Sequence, residues 1–233
     1  MSLKTILFDL DGTLLPMDQD LFLKSYFKRL VQKLAPHGYH PEKTVQAIMH
    51  CTYAVIKNDG SLTNEQAFWQ GFGKMMGEDC IKDEPIFDAY YRNEFQQVAA
   101  DCGFNPKAAQ CIAALKEKGL RLVLATNPVF PAVATESRIR WAGLDKNDFE
   151  LVTTYENSRF CKPNPEYYLQ IMRELRLKPE ECLMVGNDVD DDMIAASAGM
   201  QVFLLTDCLI NKNNADIAQY PHGSFDELMA YIG

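Results

Sequence analysis

Two carboxylates separated by one residue, Asp9 and Asp11, directly follow the apolar run Ile6-Leu7-Phe8 and precede Gly12-Thr13. In an extended segment, side chains two residues apart point the same way. Two like charges at the end of a buried strand are costly unless a cation or a phosphate compensates them. The spacing therefore indicates a site for phosphoryl-group chemistry, although an Asp-Gly pair after a strand is also a common turn.

Two further polar groups follow apolar runs later in the chain. Thr126 and Asn127 come after Leu122-Val123-Leu124-Ala125, and their hydroxyl and amide groups can donate hydrogen bonds to phosphoryl oxygens without adding charge. Lys162, beside Pro163, can neutralise a phosphate and keep Asp9 ionised. Taken singly, a strand followed by a turn and a surface lysine are the commoner explanations.

After the apolar segment that ends at Gly186 comes Asn187, which is followed by an acidic run: Asp188, Asp190, Asp191 and Asp192. Oxygen ligands at a strand end suit Mg²⁺, which is usually held by one or two carboxylates, retained waters and substrate phosphate. A solvated acidic helix start, favoured by the helix dipole, explains some of these acids. It does not explain a run that emerges directly from an apolar strand.

Short apolar runs alternate with helical patterns, which is typical of a mostly parallel sheet with crossover helices. We predict strands at residues 5–11, 120–127, 151–155, 182–188 and 201–206. Residues 16–104 instead carry apolar residues at helical spacing. A single crossover rarely needs so much chain, so we interpret this interval as an inserted helical domain. A last helix is predicted through Phe225, Leu228, Met229 and Ile232.

Composition limits the classes of partner. The 233-residue chain carries 23 basic and 32 acidic residues, a formal net charge of -9, which argues against nucleic acid as a partner. Seven cysteines without a Cys-x-x-Cys pair fit reduced thiols in a cytoplasmic protein. No stretch approaches the length of a membrane span. We expect a small-molecule ligand, no membrane and no nucleic acid; the sequence does not determine the oligomeric state.

The four patterns occur in the order of the motifs of the haloacid dehalogenase-like (HAD) hydrolase superfamily, which they resemble. Each lies at or just beyond the carboxyl end of a predicted strand, where open α/β sheets bind ligands. The helical interval is similar in position to the cap of the β-phosphoglucomutase branch. The resemblance implies an α/β fold, with a Rossmann-like three-layer core and a parallel sheet at residues 1–15 and 105–233. It implies an inserted α-helical cap at residues 16–104.

The resemblance also implies a Mg²⁺-dependent phosphatase that hydrolyses a small phosphorylated metabolite through an aspartyl-phosphate. Asp9 would be the nucleophile and Asp11 the general acid and base. Mg²⁺ would be held by Asp9, the backbone carbonyl of Asp11 and Asp188. Phosphate would be bound by the residues that match the phosphate-binding motifs, Gly12, Thr126, Asn127 and Lys162. Thr13 would brace the loop by hydrogen bonding.

The sequence departs from the family pattern where Asn187, and not an aspartate, follows Gly186. Asp188 is the nearest acid that can replace it, with Asp191 or Asp192 assisting. The sequence leaves open a phosphomutase acting on a sugar phosphate, and a non-catalytic binding module that uses the HAD fold. Substrate specificity is expected in the cap, where the polar turn at residues 58–64 is either a substrate loop or a surface turn.

Overall fold

A computed structural model describes residues 3–233 and contains one six-stranded parallel sheet in the order β3-β2-β1-β4-β5-β6. The strands are β1 (Thr5–Phe8), β2 (Arg121–Leu124), β3 (Leu151–Val152), β4 (Cys182–Gly186), β5 (Gln201–Leu205) and β6 (His222–Gly223). The predicted α/β class and parallel sheet are confirmed. All five predicted strands are present, and β6 is an additional edge strand whose two residues are too few to form a sequence pattern.

The sheet is buried on both faces. In β1, Ile6 and Phe8 pack into one apolar cluster while Leu7 packs into another on the opposite side. Alternate residues of a strand point to opposite faces, so a strand that is apolar at every position needs a layer of helices on each side. The three-layer arrangement follows from this burial.

Helices in the part of the chain after residue 104 cover these two faces. They are α5 (Pro106–Glu117), α6 (Ala132–Trp141), α7 (Pro165–Leu175) and α8 (Phe225–Ile232). Asn164 caps the start of α7 by accepting a hydrogen bond from the Glu166 N–H, so the helix begins at Pro165 and leaves Lys162 in the preceding loop. The predicted C-terminal helix is present as α8.

The helical segment between β1 and α5 consists of α1 (Gln19–Leu34), α2 (Pro41–Ile56), α3 (Asn64–Met76) and α4 (Glu84–Arg92), with 3₁₀ turns between them. These helices share an aromatic-rich apolar cluster. The apolar residues from Phe87 to Phe95 are divided between two elements, because α4 ends at Arg92 and a 3₁₀ stretch over Glu94–Asp101 follows it. The division into a core and a separate cap domain stays a prediction.

The strands end earlier than the sequence predicted. The three central ones end at Phe8, Leu124 and Gly186, so the polar residues of interest lie in the loops that follow them. Loop backbone can curve, and side chains from neighbouring strands can therefore converge. No helix within residues 3–233 is long and apolar enough to cross a membrane.

Candidate active site

Asp9 is the first residue after β1, and its backbone N–H donates to the Val185 carbonyl in β4 at 2.9 Å. This bond continues the β1–β4 pairing and fixes the position of the Asp9 side chain, which is almost fully buried. One carboxylate oxygen, Oδ1, accepts a hydrogen bond from the Lys162 ammonium at 2.8 Å. The structure thus brings together two predicted residues that are 153 positions apart in the chain.

Lys162 lies between two carboxylates. Its Nζ contacts Asp9 Oδ1 and, at 2.6 Å, Asp192 Oδ1, and its side chain is 1% exposed. Burial pulls the Lys162 pKa down, but the negative charges of Asp192 and Asp9 outweigh burial and hold this pKa well above its ordinary value. The charged form of the Lys162 ammonium is therefore favoured beside the candidate nucleophile.

Asp192 supports Lys162. Besides its contact with the ammonium, it accepts a hydrogen bond from the Asp188 N–H at Oδ2 (2.9 Å), so both of its oxygens are occupied by protein groups. Gly186 makes room for it, because a Cβ at Gly186 would lie 2.1 Å from the Asp192 carboxylate. Asp192 was predicted as one of two acids that assist a metal ion, but in the structure its carboxylate binds Lys162 and the Asp188 N–H.

Asp188 and Asp191 are partly exposed, whereas Asp192 is buried. Asp188 Oδ1 accepts hydrogen bonds from the backbone N–H groups of Asp190 and Asp191, at 2.8 and 3.0 Å, which fix its carboxylate. Asp191 Oδ2 accepts from the Asn127 amide at 3.3 Å. Burial raises the Asp191 pKa to about 6 against the opposing effect of Lys162.

Asp11 forms an ion pair with Arg138, a residue that no sequence pattern singled out. Arg138 is fully buried in α6, where its other contacts are the Thr135 hydroxyl at 3.2 Å and the Phe130 ring at 4.6 Å. Burial raises the Asp11 pKa, and the Arg138 charge opposes that rise. The sequence offered one signal for Arg138, its spacing from the apolar residues Ala134 and Ile139, which places all three on the buried face of α6.

The turn after Asp11 is held by Thr13 and Asn187. The Thr13 hydroxyl lies 3.2 Å from Asp9 Oδ2 and 2.9 Å from Asn187 Oδ1, within reach of both acceptors. The Asn187 amide donates to the Cys208 carbonyl at 2.7 Å. Asn187, at the departure from the family pattern, therefore joins three loops and has its amide group occupied by protein partners.

Gly12 has φ +87, a backbone conformation that a residue with a side chain adopts at a cost, and a Cβ there would lie 2.4 Å from Asn187 Nδ2. We expect Gly12→Ala to lower the free energy of unfolding by about 2 kcal/mol and to reduce activity, because the turn that carries Asp11 must shift. Urea denaturation measures the first effect.

Gly38→Ala is the matched control, since Gly38 has φ +88 and open space where a Cβ would lie. In Gly38→Ala only the unfavourable backbone conformation lowers the free energy of unfolding. Any larger decrease in Gly12→Ala therefore measures the crowding of the new Cβ against Asn187. Equal losses in the two variants would contradict the proposed crowding.

The candidate active site contains a cavity of about 290 Å³. Its polar walls include all of the predicted catalytic and metal-binding side chains, namely Asp9, Asp11, Thr126, Asn127, Lys162, Asn187, Asp188, Asp191 and Asp192. Gly12 is not among the lining residues; its role is the turn. Residues 58–64 do not line the cavity either, and Asn64 instead binds the core through the Pro128 carbonyl at 3.1 Å.

The donor set fits a hard cation with retained water ligands. Within residues 3–233 no three His, Cys, Asp or Glu side chains are arranged to hold a metal ion by themselves. Mg²⁺ requires only one or two carboxylates with waters and substrate oxygens, and Asp9 and Asp188 both line the cavity. Two oxygens, Asp11 Oδ1 and Asn127 Oδ1, are buried without a hydrogen-bond partner, so the site has unused acceptor capacity.

The chain is similar in sequence to curated proteins named as phosphatases. A phosphoglycolate phosphatase from Colwellia psychrerythraea is 28% identical over 96% of this chain and 92% of its own length. Pyrophosphatase PpaX from Bacillus cereus is 24% identical over 85% of this chain and 81% of its own. Both are similar to the chain along most of their length.

Solved structures share the fold. A predicted phosphoglycolate phosphatase from Haemophilus somnus superimposes with a TM-score of 0.60 at 21% identity, covering 100% of this chain and 99% of its own. YfnB from Bacillus subtilis, bound to magnesium, has a TM-score of 0.58 at 18% identity and covers 100% of both chains. The family model for haloacid dehalogenase-like hydrolases matches residues 3–199. Together with the sheet topology, this match establishes that the chain is a haloacid dehalogenase-like hydrolase.

Proposed function

We propose that this hydrolase is a Mg²⁺-dependent phosphatase that cleaves a small phosphorylated metabolite through an aspartyl-phosphate on Asp9. The observation that carries the proposal is the contact of the buried Asp9 carboxylate with the Lys162 ammonium, beside Thr126 and Asn127 in the same cavity. A carboxylate that is paired with a cationic group and flanked by hydrogen-bonding groups is suited to attack phosphorus. The curated relatives named as phosphatase and pyrophosphatase support the same reaction class.

In the first step a carboxylate oxygen of Asp9 attacks phosphorus and the phosphorus–oxygen bond of the ester breaks. Protonated Asp11 gives its proton to the departing oxygen, so the leaving group departs as a neutral alcohol. Lys162 has three N–H donors and uses two on Asp9 and Asp192, which leaves one for a phosphoryl oxygen. Thr126 and Asn127 would donate to the remaining oxygens.

In the second step Asp11, now a carboxylate, takes a proton from water as the water attacks phosphorus. The acyl-phosphate bond breaks, inorganic phosphate leaves, and Asp9 returns as a carboxylate. Arg138 holds Asp11 Oδ2, so the same carboxylate stays in one orientation for both proton transfers. The second oxygen of Asp11, which is without a hydrogen-bond partner, is the one free to exchange the proton.

Mg²⁺ would be held by Asp9, the backbone carbonyl of Asp11 and Asp188, with waters and substrate oxygens completing its ligands. When bound, it supplies positive charge that offsets the repulsion between the carboxylates and the phosphate. Asn187 is occupied by Thr13 and Cys208, which supports the assignment of the ligand role to Asp188.

The direct test is the hydrolysis of p-nitrophenyl phosphate by the purified protein in Mg²⁺ and in EDTA. We expect turnover in Mg²⁺, its loss in EDTA and its recovery when Mg²⁺ is restored. Turnover that is indifferent to EDTA would contradict the metal requirement. Absence of turnover in Mg²⁺, with folded protein, would contradict the phosphatase assignment.

Asp188→Asn tests the metal ligand. We expect at least a tenfold rise in the Mg²⁺ concentration for half-maximal activity, because an amide is a weaker ligand for a hard cation than a carboxylate. Mg²⁺ titration of initial rates measures the change. Asp191→Asn is the comparison variant, since its carboxylate is engaged by Asn127, and we expect a change of less than threefold. The reverse order would assign the ligand to Asp191.

A further inference from the structure

A second cavity, of about 370 Å³, adjoins the candidate active site. It lies among α1, α2, α3 and α4 on one side and residues 129–133 and 155–156 on the other. Three residues, Leu23, Val129 and Phe130, belong to the walls of both cavities. The active-site cavity and this second cavity, which we call the aromatic cavity, are therefore neighbours.

The walls of the aromatic cavity are built from rings on several different elements. Phe27 comes from α1, Trp69 from α3, Phe87 and Tyr91 from α4, and Tyr155 from the loop after β3. Trp69 and Phe87 meet edge to face, with centroids 5.4 Å apart and planes at 88°. Rings favour flat aromatic partners through stacked and edge contacts, and the cavity volume suits a small molecule.

The charged groups of the aromatic cavity are mainly negative. Glu65, Glu84, Glu156, Asp88 and Arg92 lie in its wall. Arg92 is paired with Asp88 at 2.7 Å, so the wall's guanidinium is neutralised locally. Within residues 3–233 neither Glu65 nor Glu84 forms an ion pair of its own. The cavity therefore repels anions and attracts cations and hydrogen-bond donors.

Two of the wall carboxylates differ in their surroundings. Glu156 accepts hydrogen bonds from the Ala132 N–H at the start of α6, at 2.8 and 3.1 Å, so a backbone donor stabilises its carboxylate. The Glu65 pKa is raised by partial burial and by the negative charges of Glu156 and Glu84. A further negative charge beside Glu65 is therefore unfavourable.

We propose that the aromatic cavity receives the leaving group of the substrate, and that this group carries an aromatic ring that is neutral or positively charged. The proposal rests on the phosphatase function proposed above. Short anionic leaving groups, such as the glycolate or phosphate implied by the names of the curated relatives, would leave the aromatic walls without contacts. The negative charge of such a leaving group would also be repelled by the carboxylates in the wall of the cavity.

The experiment compares esters that differ in charge at the ring and share one reacting group. The probes are 2-phenylethyl phosphate and its para-aminomethyl and para-carboxyl derivatives, with 2-hydroxyethyl phosphate as a compound without a ring. Two methylene groups separate each ring from the ester oxygen, so intrinsic reactivity is nearly constant. Released inorganic phosphate in Mg²⁺ gives kcat/KM for each, with Asp9→Asn as the blank.

We expect kcat/KM to be at least about tenfold higher for the aminomethyl ester than for the carboxyl ester, the size of one charge–charge interaction in a partly buried site. We expect 2-phenylethyl phosphate to exceed 2-hydroxyethyl phosphate by at least as much. Glu65→Gln should lower the ratio of kcat/KM for the aminomethyl ester to kcat/KM for the carboxyl ester, which we call the charge preference, at least threefold. Glu42→Gln, on the exposed start of α2, is the matched control and should leave the preference unchanged.

Phe27→Leu tests the ring contact separately. It keeps an apolar side chain but removes one ring of the wall, so kcat/KM for 2-phenylethyl phosphate should fall about fivefold while that for 2-hydroxyethyl phosphate stays constant. A misfolded variant would lose both activities together, which distinguishes the two causes.

The outcomes separate the inference from the function on which it rests. Turnover of the esters with the carboxyl compound equal to or better than the aminomethyl compound would overturn the inference and leave the phosphatase function standing. If Glu65→Gln does not lower the preference for the aminomethyl ester over the carboxyl ester, the proposal that this cavity binds the leaving group is overturned. No turnover of any of these esters by protein that hydrolyses p-nitrophenyl phosphate would overturn the inference alone. No turnover of p-nitrophenyl phosphate either, by folded protein in Mg²⁺, would overturn the phosphatase function and the inference with it.

Discussion

Asp9→Asn should lower kcat for phosphate-ester hydrolysis at least a thousandfold, the scale of loss seen when a covalent nucleophile is removed. The variant keeps the shape of the side chain but replaces the attacking carboxylate by an amide. Lys162 retains its contact with Asp192 at 2.6 Å, so the variant should fold. Rates with p-nitrophenyl phosphate in Mg²⁺, together with urea denaturation, measure both properties.

Asp190→Asn is the matched control for this variant. Asp190 belongs to the acidic run after β4, but it is exposed, lies outside the walls of the cavity and binds the Asn213 amide. We expect its activity to stay within twofold of wild type. Activity of Asp9→Asn within tenfold of wild type would contradict the nucleophile assignment.

A chemical trap checks the intermediate independently. Protein quenched in acid during turnover of a radiolabelled ester should carry label on the peptide that contains Asp9, and the label should be released by alkali, as expected for an acyl phosphate. Asp9→Asn should carry none. Label retained in the variant would assign the covalent step to another residue.

The sequence predicted the location of the candidate site because the information is local. Asp9, Thr126 and Asp188 each follow an apolar run, and the change from apolar to polar residues predicts the end of a strand. A parallel sheet places the carboxyl ends of all its strands on one edge. The order β3-β2-β1-β4 then makes β2 and β4 the neighbours of β1. The convergence of these residues on one cavity follows from topology and not from any detail of side-chain packing.

What the sequence did not predict depends on contacts between distant residues. Arg138 has no motif around it, and its role as the partner of Asp11 arises only when α6 packs against the loop after β1. The same holds for Asp192, since spacing alone did not separate it from Asp191 as an assistant to the metal ion. Which acid turns toward Lys162 is decided by the curve of the loop after β4 and by the space that Gly186 leaves.

The polar turn at residues 58–64 is a further example. Its composition fits both a substrate loop and a surface turn, and the structure places it outside both cavities. Gly60 lies against the Phe160 ring, and the Asn64 N–H donates to the Ser158 carbonyl at 2.8 Å. The turn therefore joins the helical segment to the loop that carries Lys162, a function in packing that no local pattern specifies.

Lys162→Met should destabilise the protein more than Gly12→Ala does, and it should also remove activity. The Lys162 side chain is 1% exposed and lies between the carboxylates of Asp9 and Asp192, so its loss leaves two buried carboxylates without this cationic partner. Breaking a buried ion pair on one side costs about 3–5 kcal/mol. We expect the free energy of unfolding, from urea denaturation at neutral pH, to fall by about that amount.

The double variant Lys162→Met with Asp192→Asn separates charge from packing. An asparagine keeps an oxygen that can accept the Asp188 N–H but removes one of the two unpaired charges, so stability should recover by more than about 1 kcal/mol. Activity should not recover, because the cation beside Asp9 is still missing. A double variant no more stable than Lys162→Met would mean that methionine packing, and not buried charge, causes the loss. Recovery of turnover would exclude Lys162 from the phosphate-binding role.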